Sequence, residues 1–138
     1  MDIRLADESD LYILNKYDKH ITKQNLLDSI RAERVYIAGE NGTFCGWLRY
    51  NLFWDNTPFM NMLYLLDNSR MKGYGRKMVL FWEEEMRRQS YKTVMTSTAS
   101  DEYAQHFYMK LGYKIIGGFL QSGSPYEVIL EKSIGKGE

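Results

Sequence analysis

Leu63-Tyr64-Leu65-Leu66-Asp67-Asn68-Ser69-Arg70-Met71-Lys72-Gly73-Tyr74-Gly75-Arg76-Lys77 is the stretch on which the fold turns. An apolar run of strand length enters a turn carrying two glycines one residue apart, and an amphipathic helix follows. The first N–H groups of a helix have no intrahelical partners and carry the positive end of its macrodipole. Glycine at Gly73 and Gly75 removes the side chains that would hold a ligand off those amides. Arg70, Lys72, Arg76 and Lys77 add positive charge at the same place. The junction reads as a seat for phosphate, and a pyrophosphate suits it best. A solvated helix start with incidental cations is the plainer reading of the same charges.

Bulk properties sharpen that choice. Eighteen Lys and Arg balance eighteen Asp and Glu, so no overall field favours nucleic acid, and a local basic cluster is not a sample of an evenly basic surface. A chain of 138 residues can bury one core, and the expectation is a single domain over residues 1–132 with a frayed tail at 133–138. Cys45 is the sole cysteine, which excludes an intrachain disulfide and a thiolate metal cluster, and no metal is expected. No apolar run is long enough to cross a membrane, and the first residues lack a signal-peptide pattern, so a cytoplasmic protein without membrane contact is expected.

Working outward, residues 3–5 predict a short strand, and the stretch from Asp7 to Asp10 offers caps for a helix through Leu11, Leu14 and Tyr17. Thr22 is placed to cap a second helix with Leu26, Leu27 and Ile30 on its apolar side. Residues 35–38 form a strand, Asn41-Gly42 turns it, and residues 43–54 return. Alternation puts Phe44, Leu48, Tyr50 and Leu52 on one face of the returning strand and Cys45, Trp47, Arg49 and Asn51 on the other. Residues 59–66 are apolar on both faces, as in a central strand covered on both sides. The helix of residues 73–90 turns Met78, Val79, Trp82 and Met86 inward. A strand at 93–98 follows, then a helix from Ser100 to Leu111 ended by Gly112, and strands at 113–119 and 126–131. The order β-α-α-β-β-β-α-β-α-β-β describes an α/β or α+β fold with a mixed, largely antiparallel sheet and one parallel pair across the glycine-turn helix. The phosphate seat then lies at the carboxyl end of a central strand, where open sheets commonly hold ligands.

Two familiar phosphate loops do not fit. The Walker pattern needs a longer loop and a Ser or Thr after its lysine, and the dinucleotide fingerprint needs a third glycine where Met78 stands. The pattern that remains, Arg70-x-x-Gly73-x-Gly75, resembles the signature of the GNAT family of acetyl-CoA-dependent N-acetyltransferases. A second stretch is similar to another family segment: Asp101-Glu102-Tyr103-Ala104-Gln105-His106-Phe107-Tyr108-Met109-Lys110-Leu111-Gly112-Tyr113. One helix and one strand separate the two, as in the family, and the resemblance covers nearly the whole chain.

The resemblance implies a GNAT-like fold, acetyl-CoA as cosubstrate, and a role for each matched position. Main-chain N–H groups of Met71, Lys72, Gly73, Tyr74, Gly75 and Arg76 would hold the pyrophosphate, with Arg70 and Lys72 adding charge. The main chain of Leu63 and Leu65 would pair with the pantetheine arm, the Leu65 N–H polarising the thioester carbonyl. Tyr108 would stand by the sulfur as general acid, although its place in an apolar stripe with Ala104, Phe107 and Leu111 also suits plain packing. Asp101 stands where the family commonly has asparagine against the pantetheine arm, and a carboxylate offers acceptors only. Asp67 replaces the usual proline before the loop.

The expected reaction is attack of a neutral amine on the thioester within a ternary complex, the acceptor being a primary amine of a small molecule or protein. No carboxylate stands among Met60, Asn61, Met62 and Tyr64, so a water oriented by Asn61 is the expected route for the amine proton. His20 is a second candidate and is also read as a plain surface-loop residue; His106 should face solvent. Cys45 should pack as a small apolar residue. Trp47, Phe53, Trp54 and Phe59 suit an acceptor pocket, a dimer face or the core. A monomer or homodimer is expected. The competing readings are a non-catalytic acyl-CoA binding or sensing domain on the same fold, and a structural domain that holds only adventitious anions.

Overall fold

The computed structural model describes residues 1–70 and 72–135, and its elements follow the predicted order. The chain packs as two units, the first made of Met1–Asn51 and Met62–Phe81, the second of Leu52–Asn61 and Trp82–Glu138.

In the first unit β1 (Asp2–Leu5) pairs antiparallel with β2 (Val35–Glu40), and β2 pairs antiparallel with β3 (Thr43–Phe53). The last residues of β4 (Thr57–Leu65) lie against β3, where the Leu66 N–H donates to the Cys45 carbonyl at 2.9 Å. Two helices, α1 (Leu11–Tyr17) and α2 (Lys23–Arg31), connect β1 to β2. The Asp7 cap closes a 3-10 turn over Glu8–Asp10 that leads into α1: Asp7 accepts from the Ser9 N–H and Asp10 from the Asp7 N–H, both at 2.9 Å, in a capping box, while α1 itself has no side-chain cap. Thr22 Oγ1 accepts from the Asn25 N–H at 3.1 Å and opens α2. Leu14, Leu26, Ile30, Val35, Ile37 and Trp47 form the core against these helices.

Period-two alternation misassigns one residue of β3. Ala38 faces Gly46 and Gly39 faces Phe44, so Cys45 is an extra residue and the ladder bulges there. The bulge turns Phe44 onto the face of Trp47, whose ring it stacks at 6.1 Å between centroids. The neighbouring Gly46 is required by a close approach. A Cβ there would stand 2.4 Å from the Tyr64 carbonyl oxygen and 2.7 Å from a Leu65 methyl group, so any other residue would push β4 away.

A buried carboxylate ties this unit together. Asp18, just past the end of α1, has a fully buried side chain that accepts from Arg49 Nε at 3.0 Å and Trp47 Nε1 at 3.1 Å. It also accepts from the His20 N–H at 3.2 Å, which sets the path from α1 toward α2.

In the second unit β5 (Thr93–Ala99) runs parallel to the start of β4, with Phe59 opposite Met95 and Met60 opposite Thr96. β7 (Glu127–Ser133) lies between β5 and β6 (Lys114–Phe119), antiparallel to both. The pairings are thus antiparallel apart from β4 with β5, giving the expected α+β fold. The helix α3 (Tyr74–Arg88) begins in the first unit and ends in the second, and α4 (Ala104–Lys110) follows β5. Glu83 of α3 is buried and accepts from Lys132 Nζ at 2.7 Å and Tyr113 Oη at 2.8 Å.

Two expectations fail here. Ser100 does not cap α4, which starts at Ala104; the Ser100 N–H donates to the Tyr126 carbonyl at 2.7 Å, and its own carbonyl accepts from Gln105 Nε2 at 2.6 Å. The main chain of Ser100 is drawn into the sheet end instead. Fraying from residue 133 also fails. Ser133 closes β7, and Ile134 is buried with its N–H on the Lys92 carbonyl and its carbonyl on Arg87 Nε at 2.6 Å. Residues 136–138 lie outside the described residues.

Asp18→Ala leaves the buried Arg49 guanidinium without its carboxylate and the Trp47 N–H without its acceptor. Urea denaturation should show a loss of about 3–5 kcal/mol, with a smaller loss for Asp18→Asn, which keeps an acceptor oxygen.

Candidate active site

The end of β4 directs its main-chain groups in a way that follows from pairing alone. In an antiparallel pair, alternate residues turn their N–H and C=O to opposite edges of the strand. The Leu66 N–H faces β3, and the close approach at Gly46 shows the Tyr64 carbonyl facing it too. Leu63 and Leu65 therefore point their N–H groups to the other edge of β4. The described register of β5 on β4 covers Phe59 and Met60, both before this point.

Past β4 the chain makes a short 3-10 turn over Asp67–Ser69, passes through Arg70 and Lys72, and enters α3 at Tyr74. Met71, one of the predicted amide donors, lies outside the described residues. Gly73 has φ +77, in the left-handed region, and a Cβ there would meet nothing within 4 Å. Its carbonyl accepts the Lys77 N–H at 3.2 Å, so the N–H groups of Tyr74, Gly75 and Arg76 occupy the first turn of α3, where no intrahelical acceptor exists. Backbone strain is avoided and a side chain is kept off the turn by the same residue.

The cations around the turn are held by partners that local reading missed. Arg70 donates to the Leu65 carbonyl at 2.9 Å, pairs with Asp67 at 3.2 Å and stands over the Tyr64 ring at 4.9 Å. Lys72 pairs with Glu40, at the end of β2, at 3.4 Å. The Tyr74 hydroxyl donates to the same carboxylate, and that hydrogen bond, with Lys72 beside it, holds Glu40 below the usual carboxylate range. The sequence marks Tyr74 for its main-chain N–H alone. Its side chain proves to link α3 to the β2–β3 hairpin, a pairing 34 residues apart in sequence.

On the α1 side of β4 lies a cavity of about 330 Å³. The rings of Tyr17, Trp47 and Tyr64 wall it, Tyr64 standing 5.2 Å and Tyr17 6.5 Å from Trp47 between centroids. The exposed His20 lies on its border, as does Asp67. Cys45, in the β3 bulge, is buried, and burial pushes its thiol above its usual pKa; it packs as expected.

Asn61, Asp101 and Tyr108 belong to the second unit. Asn61 is exposed on β4, and Asp101 is exposed in the turn before α4. Tyr108 is buried in α4 with its ring edge-on to Phe107 at 5.2 Å and to Tyr113 at 5.6 Å. Burial pushes its hydroxyl up to about 12, against a smaller opposite effect of a hydrogen bond with Thr96. Its phenol is therefore protonated across the neutral range. His106 is exposed beside Tyr103, as expected. Of the aromatic set, Trp47 packs in the first unit's core, while Phe53 contacts both Trp54 and Phe59 in the second, leaving Trp54 79% exposed.

The model of the acetyltransferase (GNAT) family matches residues 3–113, and the chain belongs to that family. Solved structures share its fold. Ard1 from Thermoplasma volcanium is 18% identical, with 96% of each chain covered and a TM-score of 0.82. The PaiA N-acetyltransferase from Thermoplasma acidophilum, solved with coenzyme A, is 20% identical over 96% of this chain and 98% of that one, with a TM-score of 0.79. YncA from Salmonella typhimurium, solved with acetyl-CoA, is 18% identical over 100% of this chain and 96% of that one, with a TM-score of 0.82. At these identities the likeness is one of fold. Comparison with the curated proteins gives no match. Among the described residues no helix is long and apolar enough to cross a membrane.

The raised pKa of Tyr108 carries a stability consequence. Its protonated form is favoured by folding, so its contribution is complete below the ordinary value of 10 and is lost as pH rises toward about 12. The thermal midpoint of the unchanged protein should fall more steeply across that window than that of Tyr108→Phe, and parallel curves would refute the burial effect.

Proposed function

We propose that this GNAT-family acetyltransferase transfers the acetyl group of acetyl-CoA to a primary amine by direct attack within a ternary complex, acting as one catalytic domain that includes the last residues of β7 and Ile134. The observation that carries the reading is the outward main-chain edge at Leu63 and Leu65 followed by the open, positive-φ turn at Gly73. Relatives of the same fold were solved with coenzyme A and acetyl-CoA, which supports the choice of cosubstrate.

The residues present suit such a ligand. The outward N–H groups of Leu63 and Leu65 and the Leu63 C=O can pair with the amides of a pantetheine arm as an added strand would, the Leu65 carbonyl being held by Arg70. N–H groups of Lys72, Gly73, Tyr74, Gly75 and Arg76 can receive a pyrophosphate, with Arg70 and Lys72 contributing charge. Asp101, an acceptor only, can take a hydrogen bond from a pantetheine amide but cannot return one.

Acetyl-CoA supplies an activated carbonyl. The amine nitrogen attacks that carbon, the C–S bond breaks, one proton leaves the amine, and one reaches the departing thiolate. The Leu65 N–H serves as donor to the developing oxyanion. For the amine proton, an ordered water held by Asn61 is the first choice and His20, at the cavity border, the second. Tyr108 gives its proton to the thiolate. A hydroxyl near 12 is a weaker acid than an ordinary thiol at about 8.5, so that transfer is uphill and its contribution modest.

Tyr108→Phe should lower kcat by about ten- to a hundredfold while leaving the affinity for acetyl-CoA unchanged, measured by thiol release with a panel of amines and by calorimetry. Unchanged kcat would remove Tyr108 from the chemistry. Tight binding of acetyl-CoA with no amine acetylated would instead favour an acyl-CoA sensor.

A further inference from the structure

The cavity beside α1 has a composition that selects its occupant. We propose that it seats the acceptor and that the acceptor is a small arylalkylamine, a single primary amine on a short arm carrying an aromatic or similarly flat apolar body. This rests on the acetyltransferase reading above and specifies its substrate.

Position comes first. Tyr64 and Leu66 line the cavity and flank Leu65, whose N–H faces the reacting carbonyl in the proposed chemistry, so an amine seated here reaches the right stretch of β4. Size comes next. A volume of about 330 Å³ stands near the lower end of ligand sites, which span roughly 300–1,000 Å³. One ring and a short arm fill that space.

The lining decides between a flat apolar body and a polycation. Tyr17 and Tyr64 remain 38% and 40% exposed, although both pack toward the deeply buried Trp47. Met62 and Leu66 add apolar surface to a lining that also carries Lys19, His20 and Asp67. Tilted rings at these separations offer edges and faces to a further aromatic group. A π face also attracts cations, but Arg70 already stands over the Tyr64 ring at 4.9 Å, and Lys19 adds positive charge at the border. The carboxylate at the border, Asp67, is paired with Arg70 at 3.2 Å. A second ammonium on the acceptor would therefore meet like charge and a carboxylate already neutralised. A neutral ring meets neither penalty.

The seat is also held in shape before anything binds. Asp18 fixes the Trp47 indole through Nε1 at 3.1 Å and the His20 main chain at 3.2 Å, so one buried carboxylate sets a wall and part of the border together. Less ordering is then required on binding.

The test uses the full chain. Thiol release from acetyl-CoA is measured with 2-phenylethylamine, n-butylamine, spermidine, kanamycin and a short peptide with a free N-terminus, and binding of 2-phenylethylamine to the protein alone is followed by tryptophan fluorescence. The expected result is a kcat/KM for 2-phenylethylamine above that of each other amine, by about tenfold over n-butylamine. Tyr64→Ala and Tyr17→Leu should each erase most of that preference through KM, and both should weaken the fluorescence titration. Preference for spermidine, kanamycin or the peptide overturns the proposal, as does absence of saturable binding at millimolar 2-phenylethylamine. If acetyl-CoA binds but no amine is acetylated, the catalytic reading fails separately. The fluorescence arm then still decides the cavity: saturable binding lost in both variants supports an aromatic ligand there, and no binding overturns it.

Discussion

The carboxylate of Asp18 is withdrawn from water, and a charge so placed must be answered by nearby donors. Arg49, the Trp47 indole and the His20 main chain answer it, and in doing so they settle where α1 stops, how β3 presents its side chains and which way the chain leaves toward α2. A buried ion pair of this kind adds little net stability over an apolar replacement, because desolvation offsets much of the attraction. Its effect is geometric. Trp47 cannot rotate without breaking its hydrogen bond, and the aromatic wall beside β4 keeps its form because of that restraint.

The second unit uses the same device. Glu83, buried on α3, accepts from Lys132 on β7 and from the Tyr113 hydroxyl, while the Tyr113 ring meets Tyr108 edge-on. The Tyr108 phenol thus rests on a ring that a buried carboxylate holds in position. Around the glycine turn Glu40 does comparable work at the surface, gathering Lys72 and Tyr74 onto the end of β2. Three carboxylates, none of them in a recognisable motif, organise the surroundings of the residues that are.

Main-chain geometry supplies what the side chains do not. Gly46 lets β4 approach β3 so closely that no Cβ fits, and the pairing made there turns the N–H groups of Leu63 and Leu65 outward. Gly73 supplies the positive φ that lets the chain leave its short 3-10 turn and start α3 with open amides. Open amides of this kind belong to the backbone, so their positions depend on which residues permit the bend rather than on which residues carry charge.

What could be read from residues alone was local. The order of elements, the caps at Asp7 and Thr22, the Asn41-Gly42 turn, and the pattern Arg70-x-x-Gly73-x-Gly75 each depend on neighbours a few positions apart, and such information survives in a linear string. The bulge at Cys45, the fate of Ser100, and the partners of Asp18, Glu40 and Glu83 were decided only in three dimensions. Arg49 lies 31 residues from Asp18, Tyr74 34 from Glu40, and Tyr113 30 from Glu83. No periodicity links positions so far apart; packing brings them together, and the cost of leaving a buried charge or donor unmatched selects which ones meet.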